Sequence, residues 1–138
     1  MFYVNKEVDY ALQLLSALNR LTEDNVLSLK QFSNESTISF LFLQKIARKL
    51  KKAGIVSATK GSKGGYILVR DLNDFKLLEL VEIICGPYGV AKCVTKGEIC
   101  DKENICLIKP GIEKMNCEIT KYMNGTMLSE MVGKKILN

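Results

Sequence analysis

The chain has 138 residues and contains no histidine, no tryptophan and only two prolines. Lack of His removes the commonest general base and the commonest zinc ligand together. No Ser-centred constellation or phosphate loop stands in for it, so no enzyme is expected. No run of eighteen apolar residues occurs, and Met1–Val4 do not open a signal peptide; these features predict a cytoplasmic chain without a membrane partner. Five cysteines, an odd number, argue against a disulfide framework in a reducing compartment. What is present is enough for one compact domain with a dimerisation appendage: 47% of residues are apolar, and no repeat or low-complexity segment interrupts them.

Acid is missing from one stretch in particular. Residues 41 to 70 hold eight Lys or Arg and no Asp or Glu, and most of the net charge of +5 resides in the N-terminal half. Within this stretch Leu43, Ile46, Ala47 and Leu50 recur at the spacing of a buried helix face. Gln44, Lys45, Arg48, Lys49 and Lys52 fall on the other side, and Gly54 marks the end. Two β-type runs follow, Ile55–Lys60 and Tyr66–Arg70, joined by the hairpin signature Gly61-Ser62-Lys63-Gly64-Gly65. A cationic helix beside a cationic hairpin predicts a winged helix on double-stranded DNA rather than a merely solvated basic face.

The expected fold is mainly α with a small β-hairpin wing, a winged helix-turn-helix plus a long dimerisation helix. Residues 1–75 are expected to be the DNA-binding region, 76–104 a linking helix and cysteine-bearing loop, and 105–138 the dimerisation helix with a short C-terminal helix. Asp9-Tyr10-Ala11-Leu12 opens the first helix, where a carboxylate suits the helix dipole. After a turn at Thr22–Asn25, Ser28-Leu29-Lys30-Gln31 has the form of a capping box for a short helix to about Asn34. Ser39 is the expected N-cap of the basic helix. Leu72–Asp74 read as a polar break before a helix marked by Leu77, Leu80, Val81 and Ile84. Ile108, Ile112, Met115, Ile119 and Tyr122 step by 4, 3, 4, 3, a seam that expects a second copy of the chain. Pro110 fits only its first turn. Thr126 is the expected cap of a final short helix through Met131.

Cys93, Cys100 and Cys106 put three thiols within fourteen residues of aperiodic chain, hard to explain by packing. Cys85 and Cys117 fall on expected helices and read as core. Lys92 and Lys96 flank Cys93, and cations favour the thiolate. The wide gaps suit an iron–sulfur cluster better than the close pairs of structural zinc, with redox-sensing thiols and zinc as alternatives.

Val8-Asp9-Tyr10-Ala11-Leu12, the run from Ile38-Ser39 to Leu50, Ala53-Gly54-Ile55-Val56, the wing Lys60–Tyr66, the three loop cysteines and Leu128–Val132 together resemble the Rrf-type winged-helix regulators typified by IscR and NsrR. The resemblance implies a homodimeric transcription regulator, expected to be a repressor. It would bind a palindromic operator and be switched by a 2Fe–2S or 4Fe–4S cluster on Cys93, Cys100 and Cys106 that senses nitric oxide, redox or iron–sulfur status. In the IscR branch a His three residues after the third Cys is the fourth ligand; Lys109 occupies that position here. In the NsrR branch an Asp in the first helix of the partner subunit serves, and Asp9 matches it. Lys60 replaces the frequent wing Arg. On DNA, Ser39, Gln44 and Lys45 are expected nearest the base edges, with Arg48, Lys49, Lys60 and Lys63 on phosphates. Ser28 and Tyr66 complete the expected contacts. The alternative is a winged-helix regulator that senses through bare thiols or is stabilised by zinc.

Overall fold

The computed structural model describes residues 5–133. The reading of Met1–Val4 and the outer ends of the first and third expected regions lie outside it. Helix α1 (Lys6–Asn19) starts where the Asn5 side chain accepts from Val8 N–H at 2.9 Å. Its buried face, Val8, Ala11, Leu14, Leu15 and Leu18, forms the wall against which the rest is packed. Helix α2 (Leu29–Ser36) begins at Ser28, whose hydroxyl accepts from Gln31 N–H at 3.3 Å. Only half of the capping box forms, because the Gln31 amide donates forward to Glu35 instead. The helix runs two residues further than Asn34 and stops at Thr37, which takes the left-handed conformation.

Helix α3 (Phe40–Lys52) buries Leu43, Ile46, Ala47 and Leu50 against α1, α2 and the following helix. An edge-on pair of the Tyr10 and Phe42 rings, centroids 5.2 Å apart, adds to the α1–α3 contact. Ser39 occupies the N-cap position but makes no side-chain cap bond. At the other end Ile55 N–H donates to Leu50 O and Gly54 N–H to Lys51 O, with Gly54 at φ +77. This is a Schellman ending, and it buries Ile55 completely under the helix.

Strands β1 (Val56–Thr59) and β2 (Gly65–Leu68) pair antiparallel, Val56 opposite Leu68 and Thr59 opposite Gly65. Leu27 joins them as a single-residue third strand, exchanging backbone hydrogen bonds of 2.8 and 2.9 Å with Tyr66. Leu72–Asp74 is a 3-10 turn, not merely a polar break, since Leu72 is buried.

Helix α4 (Leu77–Cys85) covers α1 and α3 from the other side. After a long loop, helix α5 (Lys109–Asn124) carries Pro110 in its first turn and brings the chain back. There Leu77 N–H donates to Thr126 O at 2.8 Å and Leu128 N–H to Phe75 O at 2.7 Å. The closing helix α6 (Leu128–Met131) thereby seats Leu128 and Val132 in the core. Gly133 is held to α1 by Ser16 and Asn19.

Two local expectations are corrected. Thr126 does not cap α6: it is buried, and its hydroxyl donates back to Tyr122 O at 2.8 Å. Met127 takes the cap position, and its N–H donates to the Glu130 carboxylate at 2.7 Å. Cys85 and Cys117 are exposed, not core. The buried stripe of α4 ends at Ile84, one residue earlier, and in α5 only Met123 is fully buried.

A Cβ on Gly65 would run into the Leu27 carbonyl. Gly65→Ala should therefore separate Leu27 from the hairpin and cost about 1–3 kcal/mol in denaturant unfolding. An unchanged midpoint would mean that the third strand contributes nothing.

Candidate DNA-binding surface and cysteine loop

Burial of the apolar stripe of α3 leaves its opposite face outward. Leu41, Lys45 and Arg48 are exposed there, with Gln44 half-buried between them and Ser39 exposed just before the first turn. The hydroxyl of Ser39, free of a cap bond, is open to an external partner. Lys60 and Lys63 are exposed on the wing. Tyr66 is half-buried, its N–H and C=O both bonded to Leu27 and its ring packed on the core. Ser28 is half-buried as the α2 cap.

Two of the expected DNA-contacting lysines have partners inside the chain. Glu7, in the first turn of α1, receives Lys45 at 3.1 Å and Lys49 at 3.4 Å. Lys49 also donates to Ile84 O at the end of α4, at 2.6 Å. Lys49 thus ties α1, α3 and α4 together, whereas Lys45 remains largely solvated. The Lys45 hydrogen bond holds the Glu7 carboxyl below its ordinary value. A depressed carboxylate contributes its stabilisation above the unfolded-state value and loses it as pH falls through the folded one, so the pairing is intact at neutral pH. Glu7 was not legible as a site residue, because its partners lie 38 and 42 residues away.

The loop between α4 and α5 is held to α5 by Asn116, whose side-chain oxygen accepts from Val90 N–H at 3.0 Å. A 3-10 turn at Lys92–Val94 presents Cys93 next to α5. Cys93, Cys100 and Cys106 are all free and half-buried. Lys109 makes a 2.6 Å ion pair with Glu103 inside the loop, which raises the lysine's pKa, with smaller contributions from Glu113 and Cys93. Its ammonium is a donor, not a ligand.

Asp9 is exposed on α1 and accepts from Gln13 at 3.4 Å. Among the described residues no three Cys, Asp or Glu stand close enough to hold a metal ion. The donor chemistry, three uncommitted thiols on one loop, fits an iron–sulfur centre; the single chain leaves the donors apart. Along α5, Ile108 and Tyr122 are about two-thirds exposed, Ile112 and Met115 are half-buried, and Ile119 packs on the core. Among the described residues no helix is long and apolar enough to cross a membrane.

Glu7→Gln removes a carboxylate beside the cationic face and frees Lys45. Duplex binding should tighten several-fold. An unchanged affinity in fluorescence titrations would mean that the Glu7 carboxylate does not hold Lys45 back from the duplex.

The geometry has close counterparts. The family model Rrf2, described as an iron-dependent transcriptional regulator, matches residues 4–134. The transcriptional regulator IscR of Escherichia coli is 27% identical over 119 residues, 86% of this chain and 72% of that protein. Among solved structures, CymR, the global cysteine regulator of B. subtilis, superposes with a TM-score of 0.74 at 19% identity, covering 95% of this chain and 96% of that one. IscR of T. potens superposes at 0.69 with 23% identity, covering 94% and 85%. At these identities the structural likeness is one of fold, and it supports the winged helix-turn-helix. The extent of the family match decides the assignment: the chain belongs to the Rrf2 family of transcriptional regulators.

Proposed function

We propose that this Rrf2 regulator is a homodimeric repressor of the NsrR type. It binds a palindromic duplex operator, and its affinity is set by an iron–sulfur cluster on Cys93, Cys100 and Cys106. Asp9 of the second subunit supplies the fourth ligand. The carrying observation is the set of three free, half-buried thiols on the one long loop, placed between α4 and the exposed seam of α5. A donor that is exposed on α1 and not gathered with the thiols of its own chain is what ligation across a dimer requires. A cluster with one carboxylate ligand would supply a reactive iron open to nitric oxide or oxygen. Its nuclearity is proposed as 2Fe–2S or 4Fe–4S.

The chain's own residues supply the link to DNA. Asp9 and Glu7 lie two residues apart in the first turns of α1, and Glu7 holds Lys45 and Lys49 of α3. Any force on Asp9 therefore acts on the helix that sets the position of α3. Ser39, Gln44 and Lys45 would read base edges, and Arg48, Lys60 and Lys63 would meet phosphates, with Lys49 reserved for the internal tie. Ser28 and Tyr66 act from behind, as the α2 cap and as the anchor of the wing. The seam of Ile108, Ile112, Met115, Ile119 and Tyr122 would close the dimer, an isologous contact that matches a two-fold operator.

The second reading, sensing by bare thiols, is favoured by the separation of the three cysteines in the single chain and by the fold shared with CymR, a cysteine regulator. Iron and acid-labile sulfide assays on protein purified without oxygen separate the two. The cluster reading expects brown protein with about one cluster per subunit and an absorption spectrum altered by Asp9→Ala. Colourless protein after attempted reconstitution would leave the thiol reading. A spectrum indifferent to Asp9→Ala would remove Asp9 from the ligand set.

A further inference from the structure

We propose that Leu41 reads the 5-methyl group of a thymine in the operator, a specificity-determining contact beyond Ser39, Gln44 and Lys45. The inference rests on the DNA-binding reading above.

Leu41 stands in the first turn of α3 and is 76% exposed. It shares one helix face with Gln44, Lys45 and Arg48, at i, i+3, i+4 and i+7, opposite the buried stripe. A single exposed leucine is ordinary on a protein surface, so its neighbourhood has to decide. The other large apolar side chains that are 67% or more exposed, Ile99, Ile105, Leu107, Ile108 and Tyr122, lie on the cysteine loop and the α5 seam, where the proposed second subunit would account for them. Leu41 instead stands on the reading helix, on a face whose other members are polar or cationic. Phe40 beside it is only 38% exposed, so Leu41 is the one strongly exposed apolar point on a cationic face, and the partner that fits is a polyanion bearing an apolar group.

The major groove of duplex DNA offers that combination. Its base edges present donors and acceptors, and the one apolar group among them is the thymine methyl. Helix-turn-helix proteins direct the N-terminal residues of the reading helix to the base edges. A leucine in the first turn, followed by Gln44 and Lys45 one turn later, therefore reaches the groove floor while Arg48 stays nearer the backbone. An alanine at residue 41 would fall short of the methyl.

The test uses the full chain, purified without oxygen, to select duplexes from a random-sequence library. Each symmetry-related pair of thymines in the selected duplex is then replaced by deoxyuridine, which lacks only the methyl. The expected result is one pair whose replacement weakens binding about 3–10-fold for the unaltered protein and leaves L41A unaffected. L41A should bind the thymine duplex more weakly by the same factor, with an unchanged thermal unfolding midpoint. If no deoxyuridine pair weakens binding, or the same pairs weaken both proteins equally, Leu41 does not read a methyl group. If no duplex is enriched and affinity is independent of sequence, the specific DNA-binding reading fails and this contact falls with it.

Discussion

Everything in this molecule depends on the packing of the apolar stripe of α3 against α1. Leu43, Ile46, Ala47 and Leu50 are almost wholly buried, and Leu43, Ile46 and Leu50 each contribute on the order of 1.5–3 kcal/mol of transfer free energy. That burial fixes the rotation of the helix about its axis, and the rotation alone turns Leu41, Gln44, Lys45 and Arg48 outward. The ion pairs at Glu7 are a smaller effect: exposed pairs contribute at most about 1 kcal/mol. Their importance is positional. They set where two cations sit on a face that apolar packing has already aimed, and they join that face to the first turn of α1.

The cysteine loop is placed by a second constraint. The chain leaves the core after Cys85, returns along α5, and is sewn back at Thr126–Leu128 by backbone hydrogen bonds to Phe75 and Leu77. Helix α5 is therefore anchored at its C-terminal end. Its N-terminal end and the loop carry four strongly exposed apolar side chains: Ile99, Ile105, Leu107 and Ile108. In the proposed dimer, a change in the thiols would move the free end of α5 against the partner's α1, and Glu7 would carry that movement to α3. In that dimer one helix, α1, would face both the cysteine loop of the neighbour and the reading helix of its own chain.

Much of this was legible in the sequence, for physical reasons that can be named. The helical period of α1, α3 and α4 survives because each buries one face, and the glycine-rich turn of the wing has few alternatives. The family resemblance extended that reading to nearly the whole chain. What escaped depends on distant or single-residue contacts. The Leu27 strand is one residue long and has no period. Glu7 meets lysines some forty residues away. Cys85 and Cys117 are apolar enough to pass for core, yet each falls just off the buried stripe of its helix. The three loop thiols were visible as a chemical set, but in the proposed regulator their mutual placement would depend on what they bind and on the second subunit, neither of which a periodicity encodes.

In the proposed regulator the state of the three loop thiols sets DNA affinity. The most direct test is the Kd for one selected duplex, with Cys85 and Cys117 replaced by Ser so that only Cys93, Cys100 and Cys106 can react. The Kd is measured before and after the loop is stripped of metal and its thiols alkylated. A change of about tenfold or more between the two states is expected, with circular dichroism unchanged. Equal affinities in two folded states would contradict it, and would leave a winged helix whose cysteines do not speak to its DNA.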